Sequence, residues 1–441
     1  MNTPIWDFVN EYKASNSVRA HMPGHKGNGP LGFECFDITE FDGADSLFFA
    51  SGIIKESEKN AKVLFGTGAT LYSCEGSSLS IRAMLYLAMV NKTENQENFV
   101  IATRNSHSAF VSASALLGFD VMWLSTLKHL SCEITAEDIE KTLSCMDKMP
   151  FAVYVTSPDY LGNTLDIEKI SNVCKKYSVP LLVDNAHGAY LKFLEKDMHP
   201  ISLGADMCCD SAHKTLPVLT GGAYLHIAEG KESYISLAKN AMRLFASTSP
   251  SYLILSSLDL CNKYLALNFK KELKDAVYLA SELRSQLFNL GYLLEGNEKL
   301  KITISTKDYG YYGYEIAELL KKENIFVEFY DNDYVVLMLS VNTTHKDIIK
   351  IKNALSKIER KVKISDTPPV ISLPEKKYNI REASLMQSEE INIDLALGRV
   401  LAFSSVACPP AISIINAGEV FDKGIISACK YYGTDRVRVI K

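Results

Sequence analysis

A lysine placed among hydroxyl and imidazole side chains, directly after an apolar run, is the first chemical feature of this chain. Met207-Cys208-Cys209 reads as the end of a buried strand, and Asp210-Ser211-Ala212-His213-Lys214-Thr215-Leu216-Pro217 follows it. An amine at a strand end can condense with a carbonyl carbon, and neighbouring hydroxyls can hold a phosphate. That is the pairing a pyridoxal phosphate enzyme requires. A surface lysine in a polar turn would give the same octapeptide, and the segment alone does not choose.

Three further clusters bear on the choice. Glu75-Gly76-Ser77-Ser78 stands just ahead of a helical pattern that starts at Leu79. Free backbone N–H groups and two hydroxyls at a helix start make an anion site, and equally an ordinary cap. Arg104-Asn105-Ser106-His107-Ser108 follows an apolar run, so His107 could stack on a planar ring or simply face solvent. Asp184-Asn185-Ala186-His187-Gly188 follows Pro180–Val183. A carboxylate there could keep a pyridinium nitrogen protonated, with Ala186 small enough for a ring to lie over the backbone. A capping aspartate is the plain alternative. Thirty residues separate Asp184 from Lys214, the length of one strand-helix-strand unit, so the two could return to the same edge of a sheet.

The elements that carry these side chains are marked by short apolar runs alternating with helical periodicity. Phe99–Ala102, Val121–Leu124, Phe151–Val155, Pro180–Val183, Asp206–Cys209 and Ala223–Leu225 read as strands. Leu79–Val90, Ala136–Met146 and Ile167–Tyr177 read as helices. The rhythm predicts an α/β fold, a large mostly parallel sheet flanked by helices, which binds ligands at the carboxyl ends of its strands. A long helical pattern over 252–290, broken once, leads to a smaller α+β region. Domains are expected at 1–45 (an N-terminal segment), 46–290 (large), 291–364 (small α+β) and 365–441 (C-terminal).

Composition narrows the function classes. The 441 residues carry a net charge of -5, which argues against nucleic acid or an anionic membrane as the main partner. No secretory signal and no apolar stretch long enough to span a bilayer is visible, so a cytoplasmic location is expected. The ten cysteines form no Cys-x-x-Cys pair, and His21 and His25 are separated by Pro23-Gly24, which breaks the helix that would align them. No metal site is expected.

Taken together, the motifs resemble the Orn/Lys/Arg decarboxylase family of fold-type-I pyridoxal phosphate enzymes. The resemblance runs from about His21 to Glu419. It rests on His21-Met22-Pro23-Gly24-His25-Lys26, Asp37-Ile38-Thr39-Glu40, Ser157-Pro158-Asp159-Tyr160-Leu161-Gly162, Asp184–Gly188, Ser211–Leu216, Ser247-Thr248-Ser249-Pro250-Ser251-Tyr252 and Leu397-Gly398-Arg399. It implies that Lys214 carries the cofactor covalently, that Asp184 partners the pyridine nitrogen and that His107 stacks on the ring. It implies a phosphate cradle of Gly76, Ser77, Ser78, Ser211 and His213, with His187 near the ring oxygen or the substrate carboxylate. It further implies a homodimer with shared active sites, in which Ser247, Thr248 and Ser249 reach the neighbouring subunit's phosphate; a higher oligomer is left open. The implied reaction is decarboxylation of arginine, lysine or ornithine, with Lys214, His187 or His213 returning a proton to the α-carbon.

Three departures from the family pattern bear on specificity. Asn185 stands where many relatives carry an acidic residue. Cys408-Pro409-Pro410-Ala411 replaces the usual tyrosine followed by Pro-Pro-Gly. The N-terminal wing domain of the large inducible decarboxylases is not seen. Glu328, Asp331 and Glu419 are the carboxylates to examine for a basic substrate's far end, although solvated surface charge is the commoner role of such groups. Transamination, another lyase reaction, or a catalytically silent cofactor-binding regulator are the alternatives.

Overall fold

The structure is a computed structural model of the whole chain; it describes residues 1–124, 130–131, 133–403 and 412–441. Cys408-Pro409-Pro410-Ala411 lies outside the described residues. In chain order the strands are β1 (Ala69–Ser73), β2 (Gln96–Thr103), β3 (Asp120–Leu124), β4 (Met149–Thr156), β5 (Leu181–Asp184), β6 (Met207–Asp210) and β7 (Ala223–Ile227). The helices over the same span are α1 (Pro4–Ala14), α2 (Ile53–Phe65), α3 (Gly76–Val90), α4 (Ser108–Leu117), α5 (Ala136–Ser144), α6 (Ile167–Lys176), α7 (Ala212–Thr215) and α8 (Glu232–Arg243). The chain divides into two compact units, Met1–Glu97 with Ile167–Glu272, and Asn98–Asp166 with Leu273–Lys441.

In the first unit the strand order is β1-β7-β6-β5. β5 and β6 run parallel, whereas β7 runs antiparallel to both β6 and β1. Three of the four strands therefore point the same way. β5, β6 and β7 are buried at every position, which is why, apart from the terminal Asp184 and Asp210 and from His226 in β7, their sequences are apolar runs rather than alternating ones. The α/β fold class is as expected; the reversed β7 is not visible in a sequence that shows only that the run is buried.

The first unit also shows how the chain's start is held. Pro4 opens α1 at a position where its missing N–H costs nothing. Thr3 supplies no side-chain cap; its hydroxyl donates to Asp7 instead. The orphan N–H groups of Ile5 and Trp6 are satisfied from far away, donating to Asp259 at 2.9 and 3.0 Å. Asp259 lies on α9 (Tyr252–Leu267) and is fully buried. Burial pushes its carboxyl up to about 6, partly opposed by the donors on Ser57, Trp6 and Ile5. Because the folded-state value is the raised one, the ionised form costs stability, absent below about pH 4 and fully present above about pH 6. Asp259→Asn keeps an acceptor and is expected to remove that cost. In urea titrations its stability relative to wild type should rise by up to roughly 3 kcal/mol between pH 4 and pH 7. A constant difference across that range would show that the charge is not what the site tolerates.

In the second unit, three strands follow the order β4-β2-β3, with β2 and β3 parallel. After α9 come α10 (Phe269–Asn289), β8 (Leu293–Glu295), β9 (Lys301–Ser305), α11 (Gly313–Lys322), β10 (Phe329–Tyr330), β11 (Tyr334–Met338) and α12 (His345–Ser356). The expected single break in the long helix falls at Asn268. β10-β11-β9-β8 form an antiparallel sheet over a core that includes Leu283, Ile302, Ile316 and Leu355. Then follow α13 (Ile380–Leu385), β12 (Ser388–Asn392), β13 (Leu401–Phe403), α14 (Lys423–Tyr431) and β14 (Arg436–Ile440), with a separate core around Ile393, Phe421 and Val439. Among the described residues no helix is long and apolar enough to cross a membrane.

Candidate active site

The first unit brings Asp184, Ala186, His187, Ser211, His213 and Lys214 to the carboxyl ends of β5 and β6. Asp184 is the last residue of β5 and Asp210 the last of β6, the two strands pairing in parallel with Asp184 opposite Cys209. Beyond these ends the chain turns. After β5 the turn Asn185–Gly188, closed by Gly188 N–H donating to Asn185 C=O at 2.8 Å, carries His187. After β6 the short helix α7 carries His213 and Lys214.

Lys214 Nζ stands 3.1 Å from His187 Nε2. A buried imidazole at that distance can take a proton from the amine and return it. His213 is turned away from this exchange: its Nδ1 donates to Gly222 C=O at 3.0 Å. Burial lowers its pKa, Lys214 adds to the fall and the Gly222 carbonyl opposes it, so the ring is neutral at neutral pH with the lone pair on Nε2. Asp184 is 2% exposed; its Oδ1 accepts from the Ala186 N–H at 3.1 Å and the Cys209 thiol at 3.5 Å.

The candidate phosphate residues also converge. Ser211 Oγ donates to Ser77 Oγ at 2.7 Å, joining the start of α7 to the start of α3. α3 has 15 residues, so its first turn presents N–H groups without a partner inside the helix and a positive dipole end. Gly76 takes φ +69°, a conformation that suits glycine, and nothing lies within 4 Å of where its Cβ would be. Its N–H donates to Gly221 C=O at 2.7 Å. The exposed Ser247 donates its N–H to Glu75 at 2.7 Å, and Thr248 beside it is exposed. His107 belongs to the second unit, where it caps α4, its Nδ1 accepting from Ala109 N–H at 3.1 Å.

This donor set fits pyridoxal phosphate: an amine beside a proton acceptor, a buried strand-end carboxylate on the adjacent strand, and hydroxyls at a helix N-terminus. The residues that sequence reasoning missed lie one layer deeper. Asp210, fully buried, accepts from Asn185 Nδ2 at 2.7 Å through Oδ1; its Oδ2 lies 3.1 Å from His199 Nε2 and 3.2 Å from His226 Nε2. Burial alone would raise its pKa, but the two imidazoles reverse this and hold it well below the usual carboxylate range. His199, Cys208 and Asp210 place ligand atoms within 4.8 Å of one another. Yet burial pushes the Cys208 thiol far up, away from the thiolate a metal needs, and Asp210 is already engaged by three donors. The one sequence signal was a charged residue closing an apolar strand.

The carboxylates proposed for the far end of a basic substrate lie in the second unit and differ from one another. Glu419, expected to be a solvated charge, is buried; it holds Arg104 through both oxygens, at 2.5 and 2.6 Å, and accepts from Asn416 N–H. Asp331 is half-buried, accepts from the N–H groups of Asp333 and Tyr334, and is pushed by burial up to about 7. Glu328 is exposed and accepts from Tyr160 OH at 3.0 Å.

Residues 3–306 match the family described as Orn/Lys/Arg decarboxylase, major domain. An arginine decarboxylase of Halalkalibacterium halodurans is 30% identical, the alignment covering 95% of this chain and 91% of that protein. The uncharacterized protein YaaO of Bacillus subtilis is 27% identical over 96% and 92%. Among solved structures, the Francisella novicida lysine decarboxylase LdcF aligns with a TM-score of 0.81 over all of this chain and 81% of that one; at 16% identity it speaks for the fold. The strand-end lysine and aspartate, the hydroxyl pair at the start of α3 and this match over most of the chain agree: the chain belongs to the Orn/Lys/Arg decarboxylase family, whose members are pyridoxal phosphate-dependent decarboxylases.

Proposed function

We propose that the protein removes the α-carboxylate of arginine, lysine or ornithine as CO2, leaving the corresponding amine. The observation that carries this reading is Lys214 Nζ 3.1 Å from His187 Nε2, beyond the end of the strand next to the one that ends in Asp184. Pyridoxal phosphate, when bound, supplies the electron sink for the breaking bond. The rest is the chain's work. Lys214 would be the residue that holds the cofactor, through its amine beside His187. Asp184 keeps the ring nitrogen protonated, a task suited to a carboxylate shielded from water. Gly76, Ser77, Ser78 and Ser211 bind the phosphate, with His213 beside them. Ala186 would leave room for the ring, and stacking on it is the role the family resemblance gives His107. The Lys214–His187 pair moves the proton released on loading and delivers one to the α-carbon afterwards. Ser247 and Thr248 serve the neighbouring subunit of a homodimer.

Arginine is the first substrate to try, because arginine decarboxylases of H. halodurans and Bacillus anthracis each align over 95% of this chain. The purified holoenzyme, offered each of the three amino acids, should release CO2 and amine in equal amounts, with one substrate preferred by at least about tenfold in kcat/KM. Keto acid without CO2 would mean a transamination instead, and no turnover of any of the three would remove the basic-substrate reading.

A further inference from the structure

Asn185 directly follows Asp184, and Asp210 directly precedes the Ser211–Lys214 segment. Both are fully buried. They therefore sit at the point where two parallel strands end and their chains diverge toward the reactive groups. The backbone ladder between β5 and β6 finishes with Asn185 N–H donating to Cys209 C=O at 3.0 Å. One residue further on, the side-chain bond from Asn185 Nδ2 to Asp210 Oδ1, 2.7 Å, extends that lateral tie past the last backbone bond.

Each side of the tie is anchored in turn. Asp210 is fixed by His199 and His226, and His226 Nδ1 lies 2.9 Å from Thr70 Oγ1 on β1. Asn185 is fixed by its turn. A Cβ at Gly188 would sit 2.0 Å from Asn185 Oδ1, so only glycine there lets the amide lie where it does. The same turn sets His187 at 3.1 Å from Lys214. Movement at Asn185 thus alters Asp184 on one side and His187 on the other; movement at Asp210 alters the start of the segment bearing Lys214.

We propose that Asp210, acting through Asn185, is a positioning residue that fixes Asp184, His187 and Lys214 relative to one another, as a matched carboxylate–amide pair. The inference rests on the cofactor roles proposed above for Asp184 and Lys214. The pairing has a chemical signature. Two carboxylates 2.7 Å apart cannot both be ionised, and two amides leave the pair without its one negative charge. Either single exchange, Asn185→Asp or Asp210→Asn, breaks the match, whereas exchanging both restores one carboxylate and one amide. In the double exchange the amide oxygen now at position 210 can accept from His199 and His226, while the amide nitrogen donates to the carboxylate now at position 185.

The test uses the holoenzyme loaded with pyridoxal phosphate, comparing wild type, Asn185→Ala, Asn185→Asp, Asp210→Asn and the double exchange. Three quantities are read: the pH midpoint of the bound cofactor's visible absorption band, the cofactor dissociation constant, and kcat against KM. The single variants should shift the midpoint by about one pH unit, weaken cofactor binding roughly 10–100-fold and lower kcat more than they raise KM. The double exchange should recover most of each loss. Where Asp210→Asn does not fold, Asn185→Ala carries the same expectation, since it leaves the buried charge with both imidazoles. Wild-type midpoint and affinity in the folded single variants, with only the melting temperature lowered, would overturn the proposal; so would a double exchange no better than the singles. Failure of the underlying reading looks different: wild type itself would then show no borohydride-fixable cofactor at Lys214.

Discussion

Lys214→Ala is expected to eliminate covalent attachment of the cofactor and to lower turnover by at least about 10³-fold. Two separate losses contribute. The amine proposed to hold the cofactor is gone, and so is one partner of the 3.1 Å pair proposed to move the proton. Borohydride reduction followed by peptide mapping checks the first: wild type should yield a modified peptide containing Lys214, and the variant none. Single-turnover CO2 release checks the second. His187→Gln separates them, because it leaves the attachment point intact while removing the proton acceptor, and should therefore show a modified Lys214 peptide with slowed turnover. If the Lys214→Ala protein still yields a cofactor-modified peptide after reduction, some other amine is the anchor and the assignment falls.

Asp184→Asn is expected to leave the cofactor bound to Lys214 and to lower kcat by roughly 10²–10⁴-fold. The substitution keeps the size of the side chain and an oxygen to accept from Ala186 N–H, but it removes the negative charge from a site only 2% exposed. With Asp184 in its proposed place beside the ring nitrogen, losing that charge would leave the nitrogen's proton less firmly held. Attachment and turnover should thus come apart in this variant, where in Lys214→Ala they fail together. A kcat within about threefold of wild type would mean that another group protonates the ring nitrogen.

The placement of these two residues at or just beyond strand ends was legible in the sequence for a physical reason. A strand buried on both faces is mostly apolar, so a charged residue at its end stands out, and the β5 and β6 runs both stop at aspartate. Other elements gave no such contrast. β1, Ala69–Ser73, is diluted by hydroxyls, yet Tyr72 is wholly buried, its OH bonded to Ser57 at 2.7 Å and Asn262 at 2.6 Å. Those partners lie 15 and 190 residues away and are invisible locally. α1 was missed because its buried face is small, Pro4, Ile5 and Val9, and its cap comes from Asp259.

The deeper layer was hidden for the same reason. His199 and His226 read as two isolated histidines, and only the reversed strand β7 brings His226 opposite Cys208 and within reach of Asp210. Asn185 was noticed as a missing negative charge near Asp184. The structure puts that charge on Asp210 instead, hydrogen-bonded to Asn185. Glu419 shows the converse: a carboxylate that suits a basic ligand by type is already committed to Arg104.

The unit that holds Lys214 is drawn from two stretches, Met1–Glu97 and Ile167–Glu272, and this orders events in time. At about 5–20 residues per second, a ribosome needs roughly 10–50 s to reach the end of the second stretch. Until then the start of α3 waits without Ser211, and α1, the first helix to emerge, waits without the carboxylate of Asp259. The nascent chain must carry both as unfinished business past the intervening 98–166 segment, the interval in which a holding chaperone would have most to offer.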